Sequence, residues 1–380
     1  MVMEATLSDV QTPALVLDRE RLNANAQRMI VRARDRGARV RPHMKTLKSI
    51  DAARLAIDPA HGGIAVATIN EAAYFAGHGL KDIQLAVCLP PGKFNRAAGV
   101  LSQAGQFSFF IDSIEVARAL REFSEANGVM FRVWIEIDSG AHRTGVDPAG
   151  PALLDIAGAL AGHACLAGVA THAGQSYVDV TPDEIAGIAE TERLAVVEAA
   201  ARLRAKGHDI AGVSAGSTPT AAHALSAEGL TEWRAGVYLA GDLFQSAIHS
   251  LEISDIALSV VASVISRNRA RRQIVVDAGG LALSKDRSTA QVRARDYKYG
   301  LVADIEGNPV FGALHIDEVH QEHGEIHNVP DAVLDALPIG ARVRIFPNHA
   351  CMTAAMYDEY MVVEGGGAIH ARWPRTNGWS

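Results

Sequence analysis

Between about residues 20 and 245, short β-branched runs alternate with Ala-rich stretches whose apolar residues recur at helical spacing, and this alternation constrains the fold most. The first helical stretch opens after Asp18, an N-cap residue. Leu22, Ala26, Met29, Ile30 and Ala33 share one face, and Gly37 follows its end. Apolar runs then fall at Ala38–Arg41, Ile64–Ala67, Ile83–Cys88, Phe107–Ile111, Phe131–Ile137, Leu166–Thr171, Ile210–Ser214 and Gly236–Leu239. Helical patterns such as Ile114–Ala126 and Pro182–Lys206 lie between them. Eight strands with α-type connections predict a (β/α)8 TIM-type barrel over residues 18–248. An open doubly wound sheet is the alternative. After about residue 250 helical periodicity fades. Strand-like runs at Ile256–Ser266, Gln273–Val276, Glu325–Asn328, Ala341–Ile345 and Tyr360–Val363 are separated by Gly, Pro, Asn and Asp, which predicts an antiparallel β domain. The expected class is therefore α/β, a barrel plus an antiparallel β domain.

Composition narrows the function. A chain of 380 residues that is 48% hydrophobic and 21% charged has the make-up of a globular protein with room for two units. Its net charge of -7, with scattered Lys and Arg, speaks against a nucleic-acid partner. No apolar run is long enough for a membrane span. The start of the chain carries no basic segment followed by an apolar run, so no secretion signal is expected. Cys88, Cys165 and Cys351 are too few and too far apart for a disulfide framework, and a cytoplasmic location is expected. Cys88 and Cys165 read as core residues.

The chemistry concentrates at the ends of the barrel strands. Arg41-Pro42-His43-Met44-Lys45-Thr46 follows the first of them, where barrel enzymes place catalytic groups. Lys45 there can form a Schiff base with a carbonyl cofactor, and Arg41 and His43 supply positive charge that would favour its neutral form. Taken alone, it is a solvated surface lysine. Gly216, Ser217 and Thr218 follow the seventh strand, where backbone N–H groups can face a phosphate; Gly236 and Tyr238 can close the same cup. Arg143 can bind a phenolate oxygen, His172 can stack on an aromatic ring, and Tyr177 can hydrogen-bond a ring nitrogen. Each alone is more often structural. In the β domain, His349 and Cys351 lie two apart in what reads as an extended segment, so both can approach one ion. Imidazole plus thiolate favours zinc. Gln321-Glu322-His323-Gly324 is a second polar cluster, in which His323 is a candidate acid or base. No role is assigned to residues 281–300.

Jointly these motifs resemble the D-threonine aldolase and D-serine dehydratase group of pyridoxal-phosphate enzymes, which combine an alanine-racemase-like barrel with a β domain. The resemblance spans nearly the whole chain. It rests on Thr12-Pro13-Ala14, Arg41 to Thr46, Thr171-His172-Ala173-Gly174, Asp277-Ala278-Gly279, Gln321 to Gly324 and Pro347 to Cys351. It implies pyridoxal 5'-phosphate bonded to Lys45, with residues 216–218, Gly236 and Tyr238 around the phosphate. It also implies a divalent metal (Zn, Mn or Mg) at His349 and Cys351. Residues 1–17 are expected to join 249–380 in the metal-bearing domain, and the chain to form a homodimer. Many aldolases of the group carry Asp at the Cys351 position, whereas eukaryotic D-serine dehydratases carry Cys. The expected activity is cleavage of a D-3-hydroxy amino acid of the D-threonine type to glycine and an aldehyde. The alternative is dehydration of D-serine or D-threonine to a 2-keto acid and ammonia. A racemase fits less well, because it needs no metal. A small non-enzymatic cofactor carrier would lack the β domain.

Overall fold

The structure is a computed structural model that describes residues 5–293 and 295–379. Its contacts divide the chain into two compact units. Among the described residues, one comprises Gln27–Gly236 with residues 376–379, and the other residues 5–26 with those described between Val237 and Arg375. The first strand, β1 (Ala14–Asp18), belongs to the second unit and leads into the helix Arg19–Arg34. Asp18 Oδ1 accepts the Arg21 N–H at 3.1 Å, which makes it the expected cap.

The first unit is the barrel. Its strands are β2 (Arg39–Val40), β3 (Ile64–Val66), β4 (Asp82–Cys88), β5 (Gln106–Ile111), β6 (Phe131–Glu136), β7 (Ala164–Ala170), β8 (Gly212–Ala215) and β9 (Glu232–Trp233). All pair in parallel, in the order β2-β9-β8-β7-β6-β5-β4-β3. A parallel bridge between His43 and Ala65 links the chain beyond β2 to β3 and completes the circuit. The helices start where capping chemistry directs. Thr68 and Ser113 accept hydrogen bonds from Glu71 N–H and Val116 N–H, and Thr181 with Glu184 forms a full capping box.

Alternation along the strands sorts the two faces of this sheet. Phe107, Phe109 and Phe131 meet Phe94 and Phe123 from the helices, with ring centroids 5.2–6.4 Å apart. On the opposite face the Trp134 indole donates to Ser108 Oγ at 3.1 Å and lies on the backbones of Gly168 and Gly212. One strand differs from its expected place. Gly236–Leu239 was read as the eighth strand, but that strand is Glu232–Trp233, and Val237–Leu239 is a 3-10 turn. A buried turn is as apolar as a strand, so the run gave no warning. Cys165, expected in the core, is exposed, and Cys88 is half-buried.

The second unit is a β sheet in the order β13-β14-β11-β10-β1-β16-β17. Its strands are β10 (Leu258–Asn268), β11 (Gln273–Val276), β12 (Leu301–Ala303), β13 (Glu318–Val319), β14 (Gly324–Ile326), β15 (Arg342–Phe346), β16 (Glu359–Val363) and β17 (Ile369–Pro374). β15 pairs with β10 and β12 off this path. All pairs are antiparallel except β1 with β16, so the sheet is mixed at one place. Leu7, Val10, Val16, Val261, Met361 and Val363 form part of its core. No helix among the described residues is long and apolar enough to cross a membrane.

Candidate active site

In the barrel unit, the loops after β2, β7, β8 and β9 gather most of the residues singled out from sequence. Lys45 is exposed, and its N–H donates to His43 Nδ1 at 3.3 Å. His43 is held well below the ordinary histidine range, first by burial and then by the charges of Lys45 and Arg234. His172 is pushed down to about 3 by burial, then by Lys45, Arg234 and Arg143. Both imidazoles are therefore neutral beside a group of cations. The Tyr177 ring lies 5.9 Å from that of His172, and its hydroxyl accepts the Thr218 N–H at 3.4 Å.

Two expectations about this region need correction. Arg41 does not assist Lys45. Its guanidinium donates to both Glu232 oxygens at 3.0–3.1 Å and to Asp82 at 2.9–3.0 Å, with the Arg41 and Asp82 side chains lining a separate cavity of about 460 Å³. His43 supplies no charge either, because it is neutral. A further positive charge beside these histidines is Arg234, which was not singled out. Arg234 is buried, donates to Ser214 Oγ at 2.6 Å and Thr171 O at 2.7 Å, and lies 4.9 Å from the Phe110 ring centre. The phosphate loop also differs in detail. The Gly216 N–H is held by Glu192 Oε1 at 3.0 Å and the Ser217 N–H by Thr220 Oγ1 at 2.8 Å, so neither is free. The Ser217 hydroxyl meets that of Ser176 at 2.8 Å. Gly236 is a glycine for packing, since a Cβ there would come within 2.5 Å of His43 O.

Glu192 is a second residue the sequence reading passed over. Its Oε1 also accepts the Ala173 N–H at 2.8 Å, so one buried carboxylate ties the loop after β7 to the loop after β8. A signal existed. On the helix Pro182–Ala205 the buried positions are 185, 189, 192, 196, 199, 200 and 203, and a glutamate in that stripe needs polar partners. At the ends of β4, β5 and β6, the ligand atoms of Cys88, Asp112 and Glu136 lie within 4.8 Å of one another. Burial and then the two carboxylates push the Cys88 thiol up, and it donates to Glu136 Oε2 at 3.1 Å.

The second unit carries Tyr238, His323, His349 and Cys351. The extended geometry expected for the last pair is only half present. His349 is extended and caps the short helix Ala350–Ala354, while Cys351 lies in that helix. The two side chains still interact, and the reason is the turn rather than strand alternation. His349 Nδ1 is 2.7 Å from Asp286 Oδ2, and the Ala350 N–H donates to buried Asp242 at 2.9 Å. Burial would lower the His349 pKa, but Asp286, Cys351 and Asp242 together hold it at about 11. Asp286 is the role missing from residues 281–300; nothing local marks it. Tyr238 is buried, and burial pushes its phenol up. His323 lies exposed in the turn between β13 and β14, where its carbonyl accepts the His320 N–H at 2.9 Å, and its imidazole makes no hydrogen bond or ion pair among the described residues.

Comparison with known proteins gives two family matches, alanine racemase, N-terminal domain, over residues 17–243 and putative serine dehydratase domain over residues 257–363. D-threo-3-hydroxyaspartate dehydratase of Delftia sp. (strain HT23) is 39% identical over 99% of this chain and 100% of that protein. D-serine dehydratase of Dictyostelium discoideum is 29% identical over 98% of both. 3-Hydroxy-D-aspartate aldolase of Paracoccus denitrificans (strain Pd 1222) is 28% identical over 97% of this chain and 92% of its own. A solved structure of the D-threo-3-hydroxyaspartate dehydratase, a Cys-to-Ala variant in the metal-free form, superposes with a TM-score of 0.94 over 99% of this chain and 100% of that one, at 39% identity.

Proposed function

The chain belongs to the alanine-racemase-like, fold-type III family of pyridoxal-phosphate enzymes, and on that premise we propose that it eliminates water from a D-configured 3-hydroxy amino acid, the unsaturated amine so formed then taking up water and releasing ammonia. D-threo-3-hydroxyaspartate is the reference substrate, and a 2-oxo acid the product. The observation that carries this reading is the His349–Cys351 pair oriented by Asp286. The full-length likeness to a hydroxyaspartate dehydratase supports it, and elimination therefore takes precedence over the aldol cleavage expected from sequence.

The residues present fit both groups the family uses. Around Lys45, Arg143 and Arg234 are cationic, and His43 and His172 are neutral, which suits an aromatic aldehyde bearing a phosphate and a phenolate. Ser217 and Thr218, with Tyr177 behind them, would hold the phosphate. At His349, Asp286 and Cys351 stabilise a positive charge on the imidazole, so the same surroundings suit a divalent cation in place of that proton. His349 Nε2 and the Cys351 thiolate would be the ligands, with Asp286 fixing the ring through Nδ1.

When bound, the cofactor draws electrons from Cα and the metal polarises the 3-hydroxyl. Lys45 Nζ takes the Cα proton. His172, neutral and beside Tyr177, would pack on the cofactor's ring and keep it in place. His349 and Cys351 would hold the cation, which would supply Lewis-acid assistance to the departure of the Cβ hydroxyl. His323 is a candidate proton donor to that hydroxyl. The test is product analysis. With D-threo-3-hydroxyaspartate, oxaloacetate and ammonia should accumulate in equal amounts, and the L-isomer should be inert. Glycine and glyoxylate in their place would reject elimination and leave aldol cleavage, the reading favoured by the likeness to the Paracoccus aldolase.

A further inference from the structure

The hairpin of β13 and β14 carries the same tripeptide pattern twice, Glu318-Val319-His320 and Glu325-Ile326-His327. The strands are antiparallel, and Glu318 stands directly opposite Glu325. Alternation puts Glu318 and His320, and Glu325 and His327, on one face of the sheet. The contacts agree. His320 Nε2 lies 2.9 Å from Glu325 Oε1, and His327 Nε2 lies 2.9 Å from Glu325 Oε2, so both imidazoles converge on one carboxylate. The ligand atoms of Glu318, His320 and Glu325 lie within 4.8 Å of one another. From β11, Gln273 Nε2 donates to Glu325 Oε2 at 2.6 Å and fixes that carboxylate from the far side.

The Glu318 carboxylate makes no hydrogen bond or ion pair among the described residues. Two like charges directly opposite in a β ladder destabilise it unless a cation lies between them. One imidazole and two carboxylates form a donor set of intermediate softness, suited to zinc-type ions with water completing the shell. Metal bonds of about 2.0–2.1 Å set neighbouring ligand atoms roughly 3.3 Å apart in a tetrahedral site. The His320–Glu325 N···O separation of 2.9 Å needs to open only slightly to reach that. The His320 side chain is 60% exposed, which leaves an ion a path from solvent.

We propose that Glu318, His320 and Glu325 bind one divalent transition-metal ion, with His327 holding the Glu325 carboxylate in place, in a site separate from the His349–Cys351 pair. The ion displaces the proton now shared in the His320–Glu325 contact and neutralises the opposed glutamates. It would also fasten the hairpin whose turn carries His323. The backbone of that turn packs on Gly279, where a Cβ would come within 2.4 Å of His323 N. The proposal does not depend on which reaction the enzyme catalyses.

The experiment uses the full chain, stripped by chelation and titrated with zinc by calorimetry, with bound metal counted by mass spectrometry. The wild-type protein should bind one equivalent more than His320→Ala/His327→Ala. In His349→Ala/Cys351→Ala one equivalent should remain, and zinc should raise that variant's Tm. Its cobalt(II) form should lack a thiolate charge-transfer band, since this site offers only N and O donors. Equal stoichiometry in the wild type and His320→Ala/His327→Ala would overturn the proposal. So would the absence, in His349→Ala/Cys351→Ala, of zinc binding tighter than about 0.1 mM, the weak end of metal sites on proteins. Glu318→Gln covers the case of a histidine variant that does not fold. It should hold or raise the metal-free Tm, since it removes one of the two opposed charges, and weaken this equivalent roughly tenfold or more; unchanged affinity would also count against the site.

Discussion

His43 and His172 are neutral because burial and three neighbouring cations oppose a further charge, and this has a cost in acid. A histidine whose folded pKa lies below its unfolded value binds fewer protons than the unfolded chain once the pH drops below about 6.5, so stability falls as pH falls. At pH 5 a histidine that stays neutral costs up to about 2 kcal/mol. Urea melts of the cofactor-free protein should therefore lose stability between pH 7.5 and 5, and His172→Gln should lessen the loss; parallel curves for the two proteins would contradict the assignment. Lys45 is one of the cations that hold these rings neutral. Borohydride reduction of the holoenzyme should fix the cofactor on Lys45, and Lys45→Ala should lower kcat at least about a thousandfold, because covalent attachment and proton transfer go together. A label on Lys48 or Lys285 would reject the residue. Lys45, His172 and the His349–Cys351 pair stand out in the sequence because each is a reactive type at a strand or turn boundary. Arg234, Glu192 and Asp286 were not singled out. Their roles come from partners far away in sequence, such as Thr171 for Arg234 and His349 for Asp286.

At the scale of elements, the barrel was readable wherever strand and helix periods alternate, and it failed where the period stops. β9 has only two residues, and the apolar run after it belongs to a turn. The β domain lost β12 and β13 for a similar reason, since strands of two or three residues have no period to detect; β17 does alternate, but between half-buried and exposed residues, with none fully buried. What closes the barrel interior is equally invisible along the chain. Trp134 lies against Gly168 and Gly212, and a Cβ on Gly212 would come within 2.1 Å of the indole, while one on Gly168 would meet Gly212 O at 2.2 Å. Gly212→Ala should destabilise the protein by about 1–3 kcal/mol, the range of overpacked cores. The same change in a Trp134→Phe background should cost less, because the atoms in the way are those of the six-membered ring of the indole. Equal costs in the two backgrounds would place the strain elsewhere.

At the scale of the whole molecule, the two groups expected of this family fall to different stretches of chain. The residues that would hold the cofactor, Lys45, Arg143, His172, Ser217 and Thr218, lie in the barrel unit; the metal pair His349 and Cys351, with Asp286, lies in the β unit. No residue is common to the two sets, so removing one group leaves the donors of the other intact. This separates the dehydratase from a racemase of the same fold, which needs the cofactor but no metal. Dialysis against a chelator should abolish turnover of D-threo-3-hydroxyaspartate while the absorbance of the bound cofactor persists, and added zinc or manganese should restore the rate. Cys351→Ala should behave as the chelated protein does, retaining the cofactor with little activity. Asp286→Asn should lose less activity, because the imidazole keeps its donor atom and loses only the carboxylate that orients it, a change worth roughly ten- to a hundredfold in metal affinity. Full activity after chelation, with no metal found by mass spectrometry, would remove the metal from the reaction and with it the elimination mechanism proposed for this chain.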